Sequence, residues 1–260
     1  MSNSNFREAF PVPLLYSVFL LLLLAGVIFS TGTNGSLFLL LNDLSSNLPD
    51  WVWANITFTG DTLFAVAAIL VLASRKHEVF IMAFLLLVLG TLVTHGGKAY
   101  FDVLRPAGVL PTDTFNIIGP TLTKHSFPSG HSFTAFSCWT LLALNLRRRL
   151  LPVFVLLGVA GAFSRIAVGA HWPLDTLVGG SLGILVACSC VFLVKSVPCI
   201  NQSAIRYFTA VITTLAVAYL PFYDDRFEDT TLLASLAGIT ALYSVIRYFW
   251  LPSFQSWKAR

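Results

Sequence analysis

Charge is what this chain has least of. Lys and Arg number 16 and Asp and Glu 12, which is 11% of 260 residues. A soluble domain of this length needs far more polar surface to cover its core, so that class is excluded. Cysteine is scarce too. Cys138, Cys188 and Cys190 fall within apolar runs and Cys199 in a short connection. None has metal-ligand spacing and no pair suggests a disulfide framework. The net charge of +4 is no argument for nucleic acid, because membrane proteins collect Lys and Arg in their cytoplasmic loops.

What the chain has is apolar length, with 56% of its residues hydrophobic. Uncharged stretches such as 12–30 and 177–194 have the roughly 20 residues a helix needs to cross a bilayer core. The pattern predicts an all-α, polytopic transmembrane helix bundle with eight spans near 12–30, 62–74, 79–97, 131–146, 150–168, 176–194, 207–221 and 231–248. The second span is expected to begin earlier, near Trp53. The first run is longer than a signal-peptide core and has no clear cleavage site, so it reads as a retained helix. Residues 31–61 mix Leu and Trp with Asn42, Asp43 and Asp50, which suits short helices lying in the interface plane.

Basic residues set an orientation. Eleven of the sixteen, among them Arg75, Lys76, Arg147, Arg148, Arg149, Lys195 and Arg260, fall in one set of connections with both termini. Lys98, Arg105, Lys124, Arg165 and Arg226 fall in the other, beside most of the acids. The first side is therefore expected to be cytoplasmic. Lys98, Arg105 and Arg165 stand near helix ends on the outer side, where a cation is costly without an anionic partner. Snorkelling to lipid headgroups accounts for any one of them, and less readily for three together.

Three segments carry chemistry. In Lys98-Ala-Tyr-Phe-Asp-Val-Leu-Arg105-Pro106 the seven-residue spacing predicts two cations on one helix face, about 10 Å apart along the axis. Pro106 predicts helix termination just before it, and Asp102 is a candidate partner for Lys98. In Ser126-Phe-Pro-Ser129-Gly130-His131, Ser129 offers a hydroxyl and Gly130 lets backbone N–H groups approach an anion at a helix start. His131 is a candidate proton donor. The same residues also read as a capped helix start with an incidental histidine. In Ser164-Arg165-Ile-Ala-Val-Gly-Ala-His171-Trp-Pro-Leu-Asp175, a carboxylate four residues past a histidine can orient its ring and leave the far nitrogen nucleophilic. Alternatively, Asp175 serves only as a helix-start acid. Tyr100, Phe101 and Trp172 read as interface anchors.

Together, K-x6-R-P, P-S-G-H and S-R-x5-H-x3-D resemble, in order, the three signature motifs of the type 2 phosphatidic acid phosphatase superfamily. The likeness covers residues 96–183 closely. It implies that Lys98, Arg105, Ser129, Gly130 and Arg165 hold a phosphate. By the same likeness His171 is the nucleophile that forms a phosphohistidine, Asp175 orients it, and His131 protonates the leaving oxygen. Two departures stand out: Ala107 follows Arg105-Pro106 where the family often has another arginine, and residues 207–260 add two helices to the usual six. The domain reading is thus a membrane phosphatase core over 1–206 and an additional hairpin and tail over 207–260.

The expected function is hydrolysis of a lipid phosphomonoester or pyrophosphate, with phosphatidate, phosphatidylglycerophosphate, undecaprenyl pyrophosphate or a lipid A phosphate as substrate. No cofactor is expected. No Asp/His cluster for two metal ions stands on the outer side, so metal-independent chemistry is expected as well. The alternatives are a lipid-to-lipid phosphotransferase using the same residues and a non-catalytic lipid carrier. A carrier has no need of a nucleophile–carboxylate pair. The expected location is a bacterial inner membrane with a periplasmic site.

Overall fold

A computed structural model describes residues 3–146 and 148–258 of the chain. Arg147 and Arg260, counted above among the cytoplasmic cations, lie outside the described residues, as do positions 1, 2 and 259. Twelve α-helices follow one another and no strand is present among the described residues. They are α1 (Asn3–Ala9), α2 (Val12–Thr31), α3 (Asn34–Ser45), α4 (Asp50–Phe58), α5 (Thr62–Ala73) and α6 (Glu78–Phe101). Then come α7 (Gly130–Asn145), α8 (Leu151–Ala167), α9 (Pro173–Ser196), α10 (Ser203–Tyr219), α11 (Thr231–Val245) and α12 (Leu251–Lys258).

All eight expected spans are helical. By length and composition five helical stretches can cross a membrane alone, and a sixth if α4 and α5 count as one broken span. That break corrects the sequence expectation. The helix does not run on from Trp53; it bends by 67° between α4 and α5. Asp61 causes the restart, since its carboxylate accepts the Leu63 N–H (2.7 Å) and caps α5, satisfying one of the free donors of a helix start.

α7 is not among the stretches apolar enough to cross alone, and its place in the bundle explains why it need not be. It packs between α8 and α9 on one side and α5 and α6 on the other, so its Ser, Thr and Asn residues meet protein rather than lipid. Small residues let it sit close, as in membrane bundles generally. A Cβ on Gly179 of α9 would lie 2.5 Å from the Ser129 carbonyl oxygen. Large side chains face outward instead, for example Phe19 and Phe29 of α2 and Leu232 and Ile239 of α11.

α10 and α11 form a hairpin against α5 and α6. Their shared core includes Phe58, Leu70, Phe80, Val217 and Phe249. Arg75 stacks on Tyr248, its guanidinium 4.4 Å from the ring centroid. At the same end of the bundle Lys195 pairs with Glu8 (3.1 Å) and Lys76 donates to the Asn145 carbonyl. The C-terminal end of α6, the N-terminal end of α7, the C-terminal end of α8 and the N-terminal end of α9 all lie at the opposite end.

Candidate active site

The third motif closes on itself. The Arg165 carbonyl accepts the N–H groups of Ala170 (3.0 Å) and His171 (3.1 Å), so the turn between α8 and α9 fixes His171 relative to Arg165. His171 is 1% exposed. Its Nδ1 lies 3.4 Å from Asp175 Oδ2, and its Nε2 lies 3.1 Å from Arg105 Nη1. A guanidinium only donates, so Nε2 is the acceptor and the proton sits on Nδ1, facing Asp175. Burial, reinforced by the positive charges of Arg105, Arg165 and Lys98, holds the His171 pKa well below the ordinary histidine value. The ring is neutral near pH 7 with its basic nitrogen turned toward the cations.

Asp175 Oδ2 also accepts the Trp172 N–H (3.1 Å) and the Ser126 hydroxyl. Ser126 carried no role in the sequence reading; it stands 49 residues from Asp175, and nothing local marks it. Trp172 is no interface anchor. It is 8% exposed, stacks edge-on against Phe38 and donates its indole N–H to Leu104 O (2.8 Å).

Arg105 reaches the site differently from expectation. α6 ends at Phe101, where Asp102 takes a left-handed backbone conformation (φ 42°), and Pro106 opens a short 3-10 turn instead. Lys98 and Arg105 therefore share no helix face. Arg105 comes in from the loop, 6% exposed, donating to the carbonyls of Lys124 (2.8 Å), Ala170 (2.9 Å) and His125 (3.3 Å). Asp102 pairs with His125 (3.1 Å) rather than with Lys98.

The second motif starts α7 as a capped helix. Ser129 Oγ accepts from Ser132 N (3.3 Å) and from the Ser132 hydroxyl (2.9 Å), while Ser129 N donates to the Asp175 carbonyl (3.1 Å). A Cβ on Gly130 would lie 3.7 Å from Lys98 Nζ, which puts that ammonium at the helix start, beside the unpaired N–H groups. Arg165, 4% exposed, donates from Nη1 to Thr57 Oγ1 (2.7 Å). Its buried Nε–H has no hydrogen-bond partner. A buried guanidinium donor left open in a ring of cations is what an oxyanion ligand satisfies. Thr57, like Ser126, was not legible from sequence.

All eight residues singled out above thus lie at one end of the bundle. A cavity of about 210 Å³ leaves this end between α5, α6 and α7. Asp61, Lys98, Gly130 and His131 border it, and Val66, Ile69, Ala83 and Leu86 line its depth. A second cavity, about 570 Å³, is lined by His95, Lys98, Arg105, Thr121, Lys124 and His125. The two share Lys98 and His95. Among the described residues no group of three or more His, Cys, Asp or Glu is placed to hold a metal ion.

The comparisons with known proteins fit this geometry. The PAP2 superfamily model matches residues 78–197. The crystal structure of Aquifex aeolicus LpxE is 30% identical, with a TM-score of 0.52 over 60% of this chain and 93% of that one. The chain belongs to the PAP2 superfamily. It has the six-helix PAP2-like core, in α2 and α5 to α9, and carries α10 and α11 beyond it. An undecaprenyl-diphosphatase of Sulfolobus acidocaldarius is 27% identical over 54% of this chain and 62% of its own length. Phosphatidylglycerophosphatase B of Escherichia coli K12 is 48% identical over 22% of this chain and 24% of its own. The chain thus spans less than two thirds of these curated relatives, and their names differ in substrate.

Proposed function

We propose that this PAP2 protein is a membrane-embedded lipid phosphatase that works through a phosphohistidine on His171. One observation carries the reading: the basic Nε2 of His171 faces Arg105 at 3.1 Å while its Nδ1 faces the Asp175 carboxylate. The arrangement is that of a neutral nucleophile backed by an acceptor and aimed at an anion-binding group. In the proposed reaction Lys98, Arg105, Arg165, Ser129 and the backbone N–H groups from Gly130 onward hold the phosphate oxygens. Phosphoryl transfer is mostly positioning and charge neutralisation, which these groups supply from the chain itself. Nε2 attacks phosphorus, the P–O bond to the lipid breaks, and His131 gives its proton to the leaving oxygen. Asp175 stabilises the ring as it becomes positive. Water then attacks the phosphohistidine, His131 takes up its proton, the P–N bond breaks, and inorganic phosphate leaves.

The substrate is a lipid whose terminal phosphate reaches the helix ends while its apolar part remains in the membrane. Phosphatidate, phosphatidylglycerophosphate, undecaprenyl pyrophosphate and a lipid A phosphate all have that form. We place the site on the outer, periplasmic face of a bacterial inner membrane and both ends of the chain in the cytoplasm. The cations gathered at the end opposite the site, among them Arg75, Lys76 and Lys195, support that orientation. The core is proposed to span 1–206, with 207–260 an addition to it.

The test is release of inorganic phosphate by purified protein in detergent, with chelator present, from each of these four lipids and beside His171→Ala. Release from one of them, abolished in the variant, is expected. No release from any lipid by folded protein would sink hydrolysis and leave transfer to an acceptor lipid to be assayed by product analysis.

A further inference from the structure

We propose that the loop between α10 and α11 is a positioning element for this site, acting through Tyr223 and Phe227; the proposal rests on the phosphatase reading above. The corner between α4 and α5 touches the site twice. Thr57 Oγ1 accepts from Arg165 Nη1 at 2.7 Å, and a Cβ on Gly60 would meet the His131 carbonyl oxygen at 2.9 Å. Asp61, 8% exposed, borders the cavity that His131 and Lys98 line. The corner is a short break between two bent helices, and neither helix alone fixes it.

The hairpin loop braces that corner from outside. The Tyr223 hydroxyl donates to Asp61 Oδ2 (3.2 Å), and Asn55 Nδ2 donates to the Asp229 carbonyl (3.2 Å). Phe227 packs against the cluster formed by Trp53, Ile118, Ala167, Val168 and Ala170, and three members of that cluster belong to the segment that joins Arg165 to His171. A Cβ on Gly119 would lie 2.5 Å from the same ring, so the loop after α6 is held as well. The brace is itself stiff. Asp224 and Asp225 carboxylates accept the N–H groups of Arg226 (2.8 Å) and Phe227 (3.1 Å), and Asp225 also accepts the Thr230 hydroxyl (2.7 Å). None of these groups reaches the reacting atoms. They set where Arg165, His131 and His171 stand relative to one another.

Tyr223→Phe and Phe227→Ala in the full chain test this. On a lipid that the unmodified protein turns over, kcat is expected to fall about tenfold in each, with KM within about twofold, since misplacement costs the transition state more than ground-state binding. A purely structural part would lower the folded fraction instead, and the loss would vanish on normalising to folded protein; that result, or unchanged kcat in both variants, overturns the proposal. Vanadate, a five-coordinate mimic of the transferring phosphoryl group, reads the same geometry without turnover. Its affinity is expected to weaken about tenfold in Tyr223→Phe while that of inorganic phosphate holds. Equal vanadate affinity overturns the proposal whether or not any lipid is hydrolysed. Weaker vanadate binding beside an unmodified protein that releases no phosphate would sink the phosphatase reading alone.

Discussion

Asp175 collects three donors on one oxygen: the His171 ring, the Ser126 hydroxyl and the Trp172 N–H. Oriented in this way, the carboxylate favours one tautomer of His171, as outer partners do for ligand histidines. Ser126→Ala is therefore expected to lower kcat about tenfold with little change in KM, read by steady-state kinetics on the preferred lipid. The pH profile follows from the lowered pKa of His171. The ring attacks only when neutral, and it stays neutral as pH falls until its depressed pKa is reached. The acid limb of kcat/KM that belongs to His171 is therefore expected below the ordinary value near 6.5. Lys98→Met removes one of the cations responsible and is expected to move that limb upward in the residual activity. An unmoved limb would mean that Lys98 does not act on His171. The three motif segments were legible at this scale because each carries its own residue types at short spacing. Ser126 and Thr57 were not, since their partners stand 49 and 108 residues away and only the folded bundle brings them near.

Helices were read well from uncharged runs, and their breaks less well. The restart at Asp61 had a local signal in Gly60-Asp61, a turn residue followed by a capping acid, which the apolar run on either side masked. The early end of α6 had none: Asp102 takes its left-handed conformation while paired with His125 across the loop. The contact between α7 and α9 shows why glycine recurs in the ninth helix. With Gly179 against the Ser129 carbonyl at 2.5 Å, Gly179→Val forces the two helices apart at the very end that bears the site. Overpacking of this kind costs about 1–3 kcal/mol. The expected outcome is a melting temperature lower by several degrees in detergent, together with loss of phosphate release. A stable variant with full activity would show that the helix ends tolerate separation.

For the whole molecule, the charge asymmetry and the site lie at opposite ends, and one cysteine makes the orientation measurable. Cys138, Cys188 and Cys190 are buried, while Cys199, in the connection after α9, is exposed. An impermeant maleimide added to intact cells is expected to leave Cys199 unlabelled and to label it once the membrane is opened. Asp113→Cys, in the exposed loop at the site end, is expected to label in both cases. The reverse pattern would invert the proposed topology. The hairpin of α10 and α11 was legible as two apolar runs, but its reach to Asp61 and Asn55 was not, because those contacts join residues more than 160 positions apart. The central helix also has a consequence for how the protein is made. α7 carries His131, Ser132, Ser137 and Asn145 among its apolar residues, and is for that reason a poor resident of hydrocarbon. It settles in the bilayer packed on α5, α6, α8 and α9, so its insertion during synthesis is expected to wait on them: a chain that ends just after Asn145 and is released without α8 and α9 is expected to leave α7 outside the membrane.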